Sequence, residues 1–164
     1  VKVALAEAER RVQAIATVHA ALSQNVDESV DFDDVARTIV RMAGAIASTD
    51  HGVEVVTTGH FGIISADQAQ ALATVLNELV ANSVEHGLAD RDGRIEVCAR
   101  REGLSMTVTV ADDGVGFVPG SPMSGLGTQI VEQMVRGELR GSIDWAPREG
   151  GGTLVTLLVN LDPA

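Results

Sequence analysis

Apolar residues recur at steps of three and four in four stretches of the chain, which is the spacing of one face of an α-helix. Polar residues that suit helix N-termini come before two of them: Asp31, and Ser65 with Gln68 three residues later. Gly87 follows the third stretch, where it suits the C′ position. The sequence therefore predicts four helices: Val1 to Leu22, Phe32 to a point before Ser48, Ser65 to about His86, and Leu126 to Val135.

Alternation of apolar and polar residues marks the strands, most clearly from Leu104 to Ala111. Three pairs are predicted. Val53 to Thr57 pairs with Phe61 to Ile64, Arg94 to Arg101 with Leu104 to Ala111, and Leu139 to Ala146 with Thr153 to Leu161. Hairpins rather than βαβ units favour an α+β fold, with a mixed, mostly antiparallel sheet and helices on one face.

Composition and charge narrow the possible functions. The 164 residues carry a net charge of −11, which argues against a nucleic-acid surface or an anionic membrane as partner. Lys2 is the only lysine, so the chain has no Walker A loop. A bound anion would have to be held by backbone N–H groups, a metal ion, or a few Arg and His side chains.

Cysteine content and apolar runs bear on location. Cys98 is the only cysteine, so no disulfide forms within the chain, and no apolar run reaches the roughly 20 residues that span a bilayer. We expect a cytoplasmic protein. Because the chain starts at Val1 rather than Met, we also expect it to be part of a longer protein.

The third predicted helix carries a polar group on one side. Glu78, Asn82 and Glu85 fall within about 60° of one another on an ideal helix, and His86 lies at their boundary. A carboxylate and a carboxamide one turn apart suit Mg²⁺, and the carboxylate could also act as a base. Taken alone, the same pattern also fits a solvated helix face.

The second candidate group follows the alternating strand. Asp112 ends that strand, so its carboxylate should be partly buried and should need hydrogen-bond donors, which the amine of a purine could supply. Gly114 and Gly116 let a flat ring approach the backbone. An ordinary Asp-Gly turn is the alternative.

Two glycine-rich segments complete the candidates. Gly125, Leu126 and Gly127 lead into the fourth helix, whose first N–H groups could hold a phosphate. Thr153 follows three glycines and could reach Asp112 if their strands are neighbours. A flexible helix start and a plain hairpin turn are the respective alternatives.

In their order and spacing, these segments resemble a known superfamily. Asn77-Glu78-Leu79-x-x-Asn82, Asp112-x-Gly114-x-Gly116, Gly125-x-Gly127 and Gly151-Gly152-Thr153 are similar to the ATP-binding domain of gyrase, Hsp90, histidine kinases and MutL, the Bergerat fold. The Glu-Leu-x-x-Asn-x-x-x-His box and short lid resemble sensor histidine kinases of two-component systems. Arg10 to Leu22 resembles the second helix of their dimerisation and phosphoacceptor domain.

The resemblance implies a role for each residue. Glu78 would be the polar or basic catalytic group, and Asn82 would bind Mg²⁺. Asp112 would accept a hydrogen bond from the adenine amine, with Thr153 in the same network. The remaining nucleotide contacts would come from His86, Gly114, Gly116, Gly125, Leu126 and Gly127, beside a lid from Phe117 to Ser124.

The resemblance also implies the domain organisation. Residues 1–24 would belong to the dimerisation region and residues 30–162 to an ATP-binding domain with a two-layer α/β sandwich. The phosphoacceptor histidine of such kinases precedes this region, and His19 matches a structural position. We therefore expect the chain to bind ATP without phosphorylating a histidine of its own.

Some residues depart from the family pattern. Asp113 stands where many relatives have Asn, and Glu85 where several have Lys. The expected lid carries no basic residue. These differences bear on the affinity for a nucleotide rather than on the fold.

Three functions remain open at this point. The first is the catalytic domain of a histidine kinase that uses ATP or ADP with Mg²⁺, forms a homodimer, and passes phosphate to a response regulator. The second is an anti-sigma factor serine kinase with the same ATP site. The third is a binding module that holds no nucleotide.

Overall fold

The computed structural model describes residues 2–22, 29–47, 52–88, 91–116 and 126–163. Its helices are α1 (Lys2–Leu22), α2 (Phe32–Ala47), α3 (Ala66–Asn82) and α4 (Leu126–Gly137), and a π-helical turn (Ser83–Gly87) directly follows α3. Its strands are β1 (Ser29–Asp31), β2 (Val53–Gly59), β3 (Ile63–Ser65), β4 (Gly93–Glu102), β5 (Ser105–Asp112), β6 (Ser142–Pro147) and β7 (Thr153–Asn160).

Five strands form the main sheet in the order β2-β4-β5-β7-β6. Only β2 and β4 run parallel, and the other three pairs are antiparallel. One face of the sheet packs against the helices in a single core, to which β5 contributes Met106, Val108 and Val110. The predicted α+β fold with a mixed, mostly antiparallel sheet is confirmed.

The predicted pairing of residues 61–64 with β2 is wrong. Strand β3 pairs instead with β1, a three-residue strand too short to leave a periodic pattern in the sequence. Two further contacts between these distant segments hold the second sheet in place: the N–H of Phe32 donates to the carbonyl of Gly62 at 3.0 Å, and the N–H of Phe61 donates to Asp33 Oδ1 at 2.7 Å. Strand β2 pairs instead with β4, in parallel.

The predicted N-terminal caps of two helices are present, whereas the predicted C-terminal end of the third helix is not. Asp31 Oδ1 accepts the N–H of Asp33 at 3.3 Å, and Ser65 Oγ accepts the N–H of Gln68 at 3.3 Å, so both N-terminal caps are confirmed. The assignment of Gly87 to the C′ position is wrong, because the chain continues from α3 through a π turn that includes Gly87, and its φ is not positive. There the N–H of Leu88 donates to the carbonyl of Ser83 at 2.7 Å.

The last predicted hairpin is present but starts later. Strand β6 begins at Ser142 rather than Leu139, because Leu139 closes the end of α4 with an N–H bond to the carbonyl of Met134. The partner strand β7 begins at Thr153 as predicted.

The apolar positions of α1 divide between the core and the surface. Val18 is buried and Leu22 packs against the core where α1 meets α2 and α3. Leu5, Val12 and Ile15 are exposed. Among the residues that the structure describes, no helix combines the length and the hydrophobicity that a membrane span requires.

Candidate functional site

Three segments that are distant in sequence meet around one carboxylate. They are the π turn after α3, the end of β5, and the start of β7. Asp112 lies where they meet, with 2% of its surface exposed. The sheet order makes this possible, because β7 is the direct neighbour of β5.

Backbone N–H groups from two of these segments hold Asp112. Its Oδ1 accepts the N–H of Gly114 at 3.0 Å and the N–H of Thr153 at 3.3 Å. Burial raises the pKa of the Asp112 carboxyl, the two hydrogen bonds oppose this rise, Asp113 adds to it, and Arg148 lowers the pKa. The result is a fixed carboxylate with one oxygen engaged by the backbone, which suits a hydrogen-bond acceptor for a ligand.

The π turn packs directly against this carboxylate. A Cβ atom at Gly87 would lie 2.3 Å from Asp112 Oδ2, so no side chain fits there without displacement. The carbonyl of Gly87 accepts the N–H of Val115 at 2.7 Å, and a Cβ at Gly114 would lie 1.8 Å from that same carbonyl oxygen. Gly87 was missed as a site residue, since the sequence pattern showed only a helix end.

The glycine turn before β7 covers the other side of Asp112. Gly152 has φ +101°, and a Cβ there would lie 1.8 Å from the carbonyl oxygen of Asp112. Thr153 is itself buried. The structure thus brings Thr153 to Asp112, but through its backbone N–H.

The polar residues of α3 lie in a different environment from a solvated helix face. Glu78 is buried with 4% of its surface exposed, and Asn82 is partly buried at the last position of α3. Glu85 is partly buried and His86 is exposed on the π turn. Because a π turn has more residues per turn than an α-helix, the predicted angles for Glu85 and His86 do not apply.

The phosphate-binding segment is only partly described. Leu126 and Gly127 form the first turn of α4, which packs against α3. Gly125 and the lid from Phe117 to Ser124 lie outside the described residues. Gly116, the last described residue before the lid, has φ +91° and would place a Cβ 3.6 Å from the carbonyl oxygen of Gly152.

Asp113, which departs from the family pattern, has a structural partner. Its Oδ1 accepts the N–H of Arg94 at 2.8 Å, and its own N–H donates to the carbonyl of Arg94 at 3.3 Å. The side chain is exposed. It therefore fastens the end of β5 to the start of β4.

The polar groups of this site fit a purine nucleotide better than a metal ion held by protein side chains. Asp112 offers a buried acceptor, while Gly87 and Gly114 leave no room for side chains beside it. No cluster of three or more His, Cys, Asp or Glu residues able to hold a metal ion occurs in the described part of the chain. Asn82 fits Mg²⁺ as a single ligand, because Mg²⁺ commonly takes one or two protein oxygens beside phosphate and water.

The chain matches two known protein families. Residues 67–163 match the family described as "Histidine kinase-, DNA gyrase B-, and HSP90-like ATPase", and residues 1–46 match a family described as "Histidine kinase". The second match extends into α2, as far as residue 46. The predicted domain boundary between residues 24 and 30 stays a prediction.

Curated relatives include sensor histidine kinases. The sensor histidine kinase PdtaS of Mycobacterium tuberculosis H37Rv is 38% identical over 161 residues, which are 95% of this chain and 32% of the relative. PdtaS of Mycolicibacterium smegmatis is 39% identical over the same shares of each chain. The chain thus spans about a third of the length of these relatives.

Solved structures share the fold. The histidine kinase domain of the Erythrobacter litoralis EL346 blue-light activated histidine kinase aligns with a TM-score of 0.74 at 22% identity, over 93% of this chain and 74% of that one. The mycobacterial sensor histidine kinase MprB aligns with a TM-score of 0.61 at 22% identity, over 85% of this chain and all of that one. At these identities the likeness concerns the fold.

Proposed function

Because the chain belongs to the family of histidine kinase-, DNA gyrase B- and HSP90-like ATPases, we propose that it is the ATP-binding catalytic part of a sensor histidine kinase. In this proposal it positions Mg-ATP for transfer of the γ-phosphoryl group to a histidine. The phosphoryl group then passes to an aspartate of a response regulator. The match of residues 1–46 to a histidine kinase family and the PdtaS relatives support this assignment.

One observation carries the nucleotide-binding part of the proposal. Asp112 is buried, its carboxylate accepts the N–H groups of Gly114 and Thr153, and the backbone of Gly87 packs against it. A site lined by backbone lets a flat ring approach closely, and the carboxylate accepts a hydrogen bond from an exocyclic amine. Adenine carries such an amine at one edge, whereas guanine presents a carbonyl oxygen there.

The chain's own residues have distinct tasks in this mechanism. Asp112 orients the base, and the first N–H groups of α4 at Leu126 and Gly127 face the phosphates. Asn82 holds Mg²⁺, and Glu78 polarises or accepts the proton of the attacking group. When bound, Mg-ATP supplies the transferable phosphoryl group and the metal charge that offsets its oxygens.

The bond changes define what these residues must accomplish. A histidine nitrogen forms a bond to the γ-phosphorus while the bond between this phosphorus and the β–γ bridging oxygen breaks, so ADP leaves with the electron pair. In such a transfer most of the rate comes from positioning and electrostatic stabilisation. His86 and the lid segment are further proposed contacts to the phosphates.

An anti-sigma factor serine kinase would use the same ATP site. The match of residues 1–46, which contain α1, to a histidine kinase family favours the histidine kinase instead. The PdtaS relatives are also sensor histidine kinases.

We further propose that the protein is a homodimer and that it is cytoplasmic. The single free thiol of Cys98 suits a reducing compartment.

Calorimetric titration with Mg-ADP tests the proposed site. We expect Asp112→Asn to weaken binding by about 1–3 kcal/mol, because a charge-assisted acceptor is lost. Asp144→Asn removes the same charge from an exposed position on β6 and should bind like the wild type. In Asn82→Ala, Mg²⁺ should no longer increase the affinity for ADP, whereas adenosine should bind without metal as it does to the wild type.

Transfer from labelled ATP tests the kinase assignment. The chain and a form extended at its N-terminus are compared, and label is expected on a histidine of the extended form only. A folded wild-type chain that gives no heat with Mg-ADP would instead favour a binding module without nucleotide.

A further inference from the structure

An ion-pair network lies on the face of the sheet opposite to the helices, near the end of β5 that carries Asp112. Arg148, in the turn between β6 and β7, approaches Glu96 on β4, with 3.6 Å between Nη2 and Oε2. Arg94 Nε lies 3.1 Å from the other carboxylate oxygen of Glu96. Glu96 is directly opposite Ala111, the residue before Asp112. Two arginines therefore meet on one carboxylate, on the opposite face of the sheet from the Asp112 side chain.

Arg148 also shapes the turn through its backbone. Its N–H donates to the carbonyl of Gly152 at 2.9 Å, and its carbonyl accepts the N–H of Gly151 at 3.1 Å. In this turn Gly152 lies against the carbonyl of Asp112, and the N–H of Thr153 donates to its carboxylate. Gly150, Gly151 and Gly152 all have positive φ, which glycine adopts without strain.

We propose that Arg148 is a positioning residue for the adenine-binding carboxylate: its ion pair with Glu96 holds the glycine turn over Asp112. This inference rests on the proposed function, since it concerns the same site. It adds a residue that the sequence motifs do not contain. Without the ion pair, the turn would keep its backbone bonds but lose its attachment to β4, and the N–H of Thr153 would leave Asp112 more often.

The charge of Arg148 gives the role a measurable signature. It lowers the pKa of Asp112, while burial and Asp113 raise it. Loss of Arg148 should therefore raise this pKa further. On the parts of the packed elements nearest to Asp112, the other titratable groups are Arg94 and Glu96 at the start of β4, Glu149 in the turn, and Glu85 and His86 on the π turn.

The first measurement uses the protein without nucleotide. The pKa of Asp112 is followed by carboxyl ¹³C NMR, and the Thr153 amide by hydrogen exchange, in the wild type, Arg148→Met, Arg148→Lys and Arg100→Met. Arg100 is exposed on β4, so its loss matches the change in charge. We expect Arg148→Met to raise the pKa and speed exchange, Arg148→Lys to keep the pKa near wild type, and Arg100→Met to change neither.

The second measurement titrates Mg-ADP across a range of pH. Arg148→Met should bind roughly two- to fivefold more weakly, as befits a partly exposed ion pair. Its affinity should also begin to fall toward acid at a higher pH than in the wild type. Because the two residues act as a pair, Arg148→Met combined with Glu96→Gln should lose less than the product of the two single effects. Urea unfolding followed by Trp145, the only tryptophan, confirms that each variant is folded.

The two measurements separate this inference from the proposed function. Wild-type values of both the Asp112 pKa and Thr153 exchange in Arg148→Met would overturn the positioning role. An unchanged Mg-ADP affinity and pH profile in that variant would overturn it as well, with the proposed function intact. If instead the pKa and exchange respond but no folded form binds Mg-ADP, the attachment of the turn is real and the nucleotide assignment is wrong.

Discussion

At the scale of the residue, burial of the Asp112 carboxylate lowers the stability of the folded protein at neutral pH. Burial is the main cause of its raised pKa, and the bonds from Gly114 and Thr153 offset only part of it. A carboxyl whose pKa is higher in the folded than in the unfolded chain contributes stability below its unfolded pKa. This contribution is lost as the pH rises through the folded value. Such a cost is expected at a site used for binding.

The pH dependence of unfolding tests this cost. The free energy of unfolding of the wild type, relative to Asp112→Asn, should fall as the pH rises from about 4 through the raised pKa, and should then level off. Urea titrations followed by Trp145 fluorescence supply these values. Comparing the two proteins at each pH cancels the titration of the other carboxylates. A difference that stays constant with pH would show that Asp112 is not perturbed.

At the scale of the element, the π turn decides what reaches Asp112. If α3 continued with regular α-helical bonds, residues 83–87 would take other angles around the helix axis. The π turn instead brings the backbone of Gly87 onto the carboxylate and its carbonyl onto the N–H of Val115. Gly87 is thus needed for space and not for an unusual φ.

Gly87→Ala separates these two causes. Its backbone φ is not positive, so alanine brings no conformational strain, but its Cβ would displace Asp112. We expect a loss of about 1–3 kcal/mol in the free energy of unfolding from overpacking, together with a large loss of Mg-ADP affinity. In Gly137→Ala at the end of α4, the Cβ meets nothing within 4 Å, and both quantities should stay near wild type. Equal behaviour of the two variants would contradict the close contact.

Elements set by local chemistry were predictable from the sequence, and those set by distant contacts were not. The caps at Asp31 and Ser65 depend on neighbours within three residues and are confirmed. The pairing of β3 with β1 and the π turn depend on segments that come together only in the fold.

The candidate site follows the same division. The contact between Asp112 and Thr153 could be predicted from the sequence, because it requires only that their two strands are neighbours in the sheet. Arg148 could not, since its partner Glu96 lies on a strand two places away from β7 in the sheet.

At the scale of the whole molecule, an apolar stripe and a large net charge act against each other. Leu5, Val12 and Ile15 of α1 are 63%, 67% and 71% exposed and lie at helical spacing on one side. The chain as a whole carries a net charge of −11, which repels a second copy. If the proposed homodimer forms through this stripe, added salt should strengthen it by screening the repulsion.

Sedimentation equilibrium at low and high salt tests the proposed dimer. Replacing Val12 and Ile15 together by Glu should raise the dimer dissociation constant by roughly two orders of magnitude or more, because each apolar side chain contributes about 1.5–3 kcal/mol on full burial. Ala6→Glu adds one charge at an exposed position about 100° around the helix from Leu5 and should have a much smaller effect. A wild-type chain that stays monomeric at high salt would exclude the stripe as the dimer interface. Equal dissociation constants for the wild type and the double variant would place the interface elsewhere on the molecule.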